Sequence, residues 1–319
     1  MNHEHEVRHL TEIDRRKFLQ LSGLATGLAF ANSILSLDSA TALATAKLPG
    51  FTAFAKSVKV FKGDKYYLVE SNGIPAHQMM VGIKSWQQQV PTVQNYSGTN
   101  AWSIPIKPVI AANPMSARDH FLRGAIAIAV NGVPIFNALN NRGDDALLAG
   151  ELDDWGGHCG RADDYHYHIA PTHLQTIVGK KVPIAYALDG FPIYGETEVD
   201  GKKVIGLDVF NGHFDSKKNY HYHATKNYPY INGGFKGVVT EIEGQVDPQS
   251  LTKAFRPAGE PLRGAVITGL ERVGDTSFDL KYTLNGSDYH VKYSASLKEV
   301  SMQFIDSTGS IRTEVYQRK

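Results

Sequence analysis

His158-Cys159-Gly160-Arg161-Ala162-Asp163-Asp164-Tyr165-His166-Tyr167-His168 and His213-Phe214-Asp215-Ser216-Lys217-Lys218-Asn219-Tyr220-His221-Tyr222-His223 share one pattern, His-x7-His-x-His. The chain has 13 His in 319 residues, so a doubled Tyr-His-Tyr-His with its leading His at the same offset is not a product of composition. Side chains alternate across a strand. That alternation puts His166 and His168 on one face, roughly 6.6 Å apart along the chain, and Tyr165 and Tyr167 on the other. Neutral imidazole is the commonest protein ligand for first-row metals, and a third His from the preceding loop, His158 or His213, completes a set of three nitrogens. The rival reading is a half-buried strand with packed Tyr rings and hydrogen-bonded imidazoles. The duplicated leading His favours metal. Six His in two sets allow two mononuclear sites, one dinuclear site, or one four-His site between facing strands. Asp163, Asp164 and Asp215 are candidates for oxygen ligands or for partners of the imidazoles. Cys159 is either a further ligand or a buried inert thiol.

The same stretches make the chain mainly β. Tyr66–Glu70 runs into Asn72-Gly73-Ile74-Pro75, Ala127–Val130 into Asn131-Gly132-Val133-Pro134, and Ile184–Leu188 into Asp189-Gly190-Phe191-Pro192. Each reads as a strand, a tight turn and a return, because Asn-Gly and Asp-Gly accept the positive φ of hairpin turns and Pro fixes the outgoing φ. The glycines at 73, 132 and 190 are 59 and 58 residues apart, the sign of a repeated supersecondary unit. The second and third units are followed by the histidine stretches. The first has Trp102-Ser103-Ile104-Pro105 at that distance, so its site has decayed. These units predict repeated antiparallel hairpins forming a sheet or sandwich. From Pro257 the texture changes to short alternating runs joined at Asn285-Gly286 and Thr308-Gly309, which predicts a small C-terminal β-meander over 258–319.

The N-terminal residues 1–46 read as a twin-arginine signal segment. Asp14-Arg15-Arg16-Lys17-Phe18-Leu19 precedes a short apolar run from Leu21 to Ala31, and small residues at Ala42, Ala44 and Ala46 offer cleavage near 44–47. The mature chain is then a β domain over 47–257 followed by the meander. It is exported by the twin-arginine machinery to the periplasm or beyond, with no stable membrane anchor after cleavage. That route carries folded proteins, which suits one that has already taken up its metal. A net charge of +1, from 33 basic and 32 acidic residues, gives no face for nucleic acid. One cysteine excludes an intramolecular disulfide. No Ser-His-Asp pattern, phosphate-cradling Gly loop or dinucleotide fingerprint offers a rival chemistry.

With these residues in view, the chain resembles the YHYH protein family, through Tyr165–His168, Tyr220–His223, Ser71-Asn72-Gly73-Ile74-Pro75, Ala187–Gly195, Tyr228-Pro229-Tyr230 and Gly233–Gly237. The resemblance runs from about Tyr66 to Gly237. It implies an exported, metal-associated β protein and names no substrate. Gly160-x5-His166-x-His168 is also similar to the opening of the cupin metal motif. There the likeness stops, because His173 stands where that motif needs Glu and the second copy lacks the matching Gly.

The expected function is therefore an exported protein holding a transition metal, with zinc, iron, manganese and copper all open, through His158, His166, His168, His213, His221 and His223. A three-nitrogen site with an open position suits redox or hydrolytic chemistry, although the sequence assigns no catalytic residue. The alternative is a cell-exterior structural or binding protein. In it Trp155, Tyr194, Tyr228 and Tyr230 would meet a glycan, small molecule or partner, and the His would be merely hydrogen-bonded.

Overall fold

The computed structural model describes residues 45–84 and 86–318. The twin-arginine motif and its apolar run lie outside the described residues. No helix among the described residues is long and apolar enough to cross a membrane.

Three strands, β1 (Lys59–Lys62), β2 (Tyr66–Glu70) and β3 (Trp102–Pro105), form an antiparallel sheet with β2 in the middle. β4 (Ile110–Ser116) leads from it into an eight-stranded sheet made of β5 (Ala125–Ala129), β6 (Pro134–Phe136), β7 (Gly157–Cys159), β8 (Tyr165–Tyr167), β9 (Ala185–Ala187), β10 (Pro192–Tyr194), β11 (Gly212–Phe214) and β12 (Tyr220–His223), ordered β11-β12-β10-β9-β5-β6-β8-β7. β13 (Gly234–Gly237) returns to pair with β4, and β14 (Thr240–Ile242) pairs with β15 (Gln245–Asp247). The chain ends in the expected meander of β16 (Val266–Arg272), β17 (Ser277–Leu284), β18 (Ser287–Ala295), β19 (Glu299–Ile305) and β20 (Ile311–Gln317).

The eight-stranded sheet is two copies of one unit related by a pseudo-twofold axis. At its centre β5 and β9 run antiparallel with Ile128 opposite Tyr186, residues 58 apart, flanked by Ala127↔Ala187 and Ala129↔Ala185. Both strands are buried throughout, which their unbroken apolar runs anticipate, since neither face meets water. From the centre each hairpin turns at its Asn-Gly or Asp-Gly. Gly132 has φ +82° and Gly190 φ +96°, and a Cβ at either would stand 2.5 Å from the Ser71 side chain or 2.7 Å from the Pro105 carbonyl. The outgoing strands then pair in parallel with the Tyr-His-Tyr strands, β6 with β8 through Ile135↔Tyr167 and β10 with β12 through Ile193↔Tyr222. β7 and β11 close the two edges.

The first of the three anticipated units departs from this plan. Its turn chemistry is the same, with Asn72 Oδ1 accepting from the Ile74 amide as Asn131 does from Val133 and Asp189 from Phe191. The return strand is missing because β1 and β3 already occupy both edges of β2. Trp102 is buried against Tyr96, with ring centroids 5.0 Å apart, so this position serves packing. The repeat is threefold in its turns and twofold in its sheet.

The meander shares one apolar core with the histidine sheet. Backbone bonds from Gly82 to Ile267 and from Ile267 to Ile83, with Tyr293 Oη donating to the Pro91 carbonyl at 2.8 Å, tie it to the segment before β3.

Candidate metal centres

β7 and β8 are antiparallel with His158 directly opposite His166, and β11 and β12 with His213 directly opposite His221. The seven-residue spacer is therefore one hairpin. Its leading His lands beside the second His, and the third follows two residues on along the same face. Nε2 of His168 stands 3.0 Å from that of His158 and 3.1 Å from that of His166. In the other copy Nε2 of His221 stands 3.1 Å from that of His213 and 3.0 Å from that of His223. Of the three arrangements left open, the structure has two separate trios at opposite edges of the sheet.

Four of the six imidazoles present their other nitrogen to a backbone carbonyl. Nδ1 meets the carbonyls of Asp164 at 2.9 Å (His166), Asn137 at 2.5 Å (His168), Ile205 at 3.1 Å (His213) and Gly195 at 2.8 Å (His223). A carbonyl only accepts, so in these four Nδ1 carries the proton and Nε2 is a bare lone pair. Each trio thus has two lone pairs that repel one another unless a cation or a single proton donor lies among them. Protonation is a poor remedy: burial pushes His168 down to about 3 and His223 to about 4, and lowers His158 and His221 as well. Spacings of 3.0–3.1 Å are less than twice the roughly 2.1 Å nitrogen–zinc length, and all three donor atoms of each trio lie within 4.8 Å of one another, so each trio is a group that could hold one ion.

The Tyr side of each strand holds the His side in place. Tyr165 Oη donates to Asp153 Oδ2 at 2.8 Å, and Tyr220 Oη to Asp208 at 3.0 Å. Each Asp also caps its loop, accepting from Trp155 and Gly157 or from Phe210 and Gly212. A Cβ at Gly157 would lie 2.6 Å from Tyr165 Oη, and one at Gly212 2.1 Å from Tyr220 Oη, so the phenols need bare backbone beneath them. Two residues on along the same strands, Tyr167 Oη accepts from Asn131, and Tyr222 Oη donates to Asp189 Oδ2 at 2.5 Å. Burial pushes the Asp189 carboxyl up to about 6. Phe136 stacks on His166 at 3.9 Å, and Tyr194 takes the equivalent place beside His221 and His223.

Comparison with known families places this geometry. Residues 101–202 match the family model described as YHYH protein. The matched stretch runs from just before β3 to just past β10, with the whole first trio inside it and the second trio beyond its end. No curated protein matches the chain, and no solved structure does.

Sequence reasoning missed Glu198, which the YHYH match includes. Its carboxylate lies 3.3 Å from Nε2 of His213, 3.9 Å from His221 and 3.7 Å from His223, giving the second trio a fourth candidate ligand. Of the expected acidic partners, Asp164 stays beside the first trio, with Oδ2 3.6 Å from His166 Nδ1. Asp163 instead forms a buried ion pair with Arg256, and Asp215 caps its own loop at Lys217 and Asn219. Cys159 is buried, next along the strand from His158 and so on the opposite face, where burial pushes its thiol well up. Of the aromatic residues considered for recognition, Tyr230 is buried and Tyr228 exposed. Trp155 and Tyr194 pack on imidazoles.

Behind the first trio, His77, His173, Trp155 and Tyr167 form a second aromatic cluster, with His77 Nε2 2.6 Å from Tyr167 Oη. Burial, reinforced by His77, holds His173 down at about 4. An unfolded His takes its proton near 6.5, so this residue's support for the fold is complete above that pH and drains away as pH falls toward about 4. His173→Gln is expected to flatten the fall in urea midpoint between pH 7 and pH 4.5 relative to wild type. Parallel curves would remove His173 from the acid response.

Proposed function

We propose that this is an exported metal-binding protein that holds two transition-metal ions, one in each trio. The observation that carries the reading is the convergence of three imidazole Nε2 atoms in each set, with Nδ1 of His166, His168, His213 and His223 committed to backbone carbonyls. The hydrogen-bonded alternative leaves a single Nε2 proton, on His158 or His221, to serve two lone pairs in its set, whereas one cation serves them all.

His158, His166 and His168 would hold one ion, and His213, His221, His223 and Glu198 the other. Nitrogen and carboxylate donors suit zinc, iron or manganese, and Cys159 on the opposite face adds no sulfur to pull the choice toward copper. An ion so held supplies a Lewis acid or an electron-transfer centre. The chain's own part is to fix the imidazole tautomers through the carbonyls and to lock the ring positions through the Tyr–Asp bonds. Export in the folded state, read from Arg15-Arg16, would let the cytoplasm load the sites before translocation.

Elemental analysis of the mature protein, purified after export, tests the reading. About two equivalents of metal per chain are expected, falling to about one in His168→Ala and in His223→Ala. Less than about a tenth of an equivalent, with no rise in melting temperature on adding zinc, iron(II), manganese or copper, would sink it.

A further inference from the structure

The two trios differ at one position, and the pseudo-symmetry of the sheet makes the difference legible. Asn140 stands 58 residues before Glu198 and occupies the same place in the same loop. The Asn140 amide donates to the Asp144 carbonyl at 2.8 Å, as Glu198 does to Lys202 at 2.9 Å. The carbonyl of Asn140 accepts from Gly143 at 2.9 Å, as that of Glu198 does from Gly201 at 2.8 Å. The bridges Leu139↔Asp145 and Thr197↔Lys203 close both loops. The backbones agree. The side chains do not.

Glu198 turns its carboxylate onto the Nε2 atoms of its trio. Asn140 has no atom to offer. Its Oδ1 accepts from the amides of Arg142 and Asp144, and its Nδ2 donates to both oxygens of Glu151 at 3.3 Å. Arg142 grips Glu151 as well, so this carboxylate on the wall of the site is paired with a guanidinium and is not one of the atoms that converge in the trio. Over this trio lies a cavity of about 760 Å³, lined by His158, His166 and His168 together with Asn140, Arg142 and Glu151. Three neutral imidazoles cancel none of a dication's charge, and a half-buried site gains from an anion in the remaining position. At the other edge of the sheet that anion is built in.

We propose that the His158, His166 and His168 site takes an exchangeable ligand from the cavity, a small carboxylate entering the place that Glu198 fills at the second site, whose ligand set is complete within the chain. This rests on the two-metal reading. Glu198 serves as the chain's own example of the ligand class that fits.

The test uses the mature protein loaded with cobalt(II) and titrated with acetate, with the visible cobalt spectrum and cobalt content read together. Wild type is expected to hold two cobalt ions and to saturate at one acetate per chain, with half the cobalt absorbance responding. Asn140→Glu is expected to keep both ions and lose the acetate response. Glu198→Asn is expected to keep its first ion and, where the second is retained, to take a second acetate. Two cobalt ions with no acetate bound, or with two, in wild type would overturn the proposal, as would an unchanged response in Asn140→Glu. If Asn140→Glu loses cobalt from both trios through misfolding, Glu198→Asn decides: two retained ions with a single acetate would overturn it. Wild type holding no cobalt would defeat the metal reading itself and take this inference with it.

Discussion

Arg256→Ala is expected to cost about 3–5 kcal/mol of stability, the usual penalty for removing one partner of a buried ion pair and leaving the other charge without compensation. Asp163 is 1% exposed, and Arg256 meets it through two bonds, Nε to Oδ2 at 2.6 Å and Nη2 to Oδ1 at 2.7 Å. The same guanidinium donates to the Gln88 carbonyl, and Asp163 also accepts from the Val90 amide. Arg256 thus joins the segment leading to the meander, the segment before β3, and the loop between β7 and β8 that sets His158 against His166. Burial pushes the Asp163 carboxyl up while Arg256 draws it down, and burial prevails. Without Arg256 the carboxyl rises further. Its penalty accrues as pH climbs above the unfolded value near 3.9, so the variant's deficit should be largest at pH 7 and shrink toward pH 4. Denaturant titrations at several pH values measure this. A double variant, Asp163→Asn with Arg256→Met, is expected to recover part of the loss, because no bare charge remains. A deficit below about 1 kcal/mol at pH 7 would show that water or another group already compensates Asp163.

How far the sequence could be read follows from which contacts are local. Tyr-His-Tyr-His announces its own facing, because alternation is a property of any strand, and His-x7-His closes on itself through a single hairpin. Both trios were therefore readable as converging sets of imidazoles. The turns at Gly132 and Gly190 were readable too, since positive φ leaves few residue choices. Glu198 was not. It is one of 32 acidic residues, and it meets His213 only because β10 lies parallel to β12, a pairing across a crossover that no local pattern encodes. Asp163 misled for the same reason: it adjoins the Tyr-His-Tyr-His strand in sequence, but its partner Arg256 arrives from 93 residues away. The first unit misled in a third way. Asn72-Gly73 fixes a turn, whereas the return strand depends on which edge of β2 is free, and β1 and β3 had taken both.

Metal removal is expected to have the other large effect, and its size follows from mass action. A ligand that binds the native state alone, at a hundredfold excess over its dissociation constant, contributes about 2.7 kcal/mol, so two such sites contribute about 5 kcal/mol. For a chain this long each kcal/mol moves the melting temperature by about 2–4 °C, and chelation should lower it by about 10–20 °C. The apoprotein is left with lone pairs facing one another in both trios, so part of the loss is repulsion that a cation relieves. His168→Ala should roughly halve the difference between loaded and chelated protein, because His168 is the imidazole that both other members of its trio approach. Taking the difference within each variant cancels what the substitution does to the apoprotein through the lost bond to the Asn137 carbonyl. His221→Ala should halve it by the same reasoning at the other edge, since His213 and His223 both approach His221. The double variant should melt at one temperature with or without metal. If it still gained several degrees on loading, the ion would be sitting elsewhere, and the two trios would be hydrogen-bonded clusters after all.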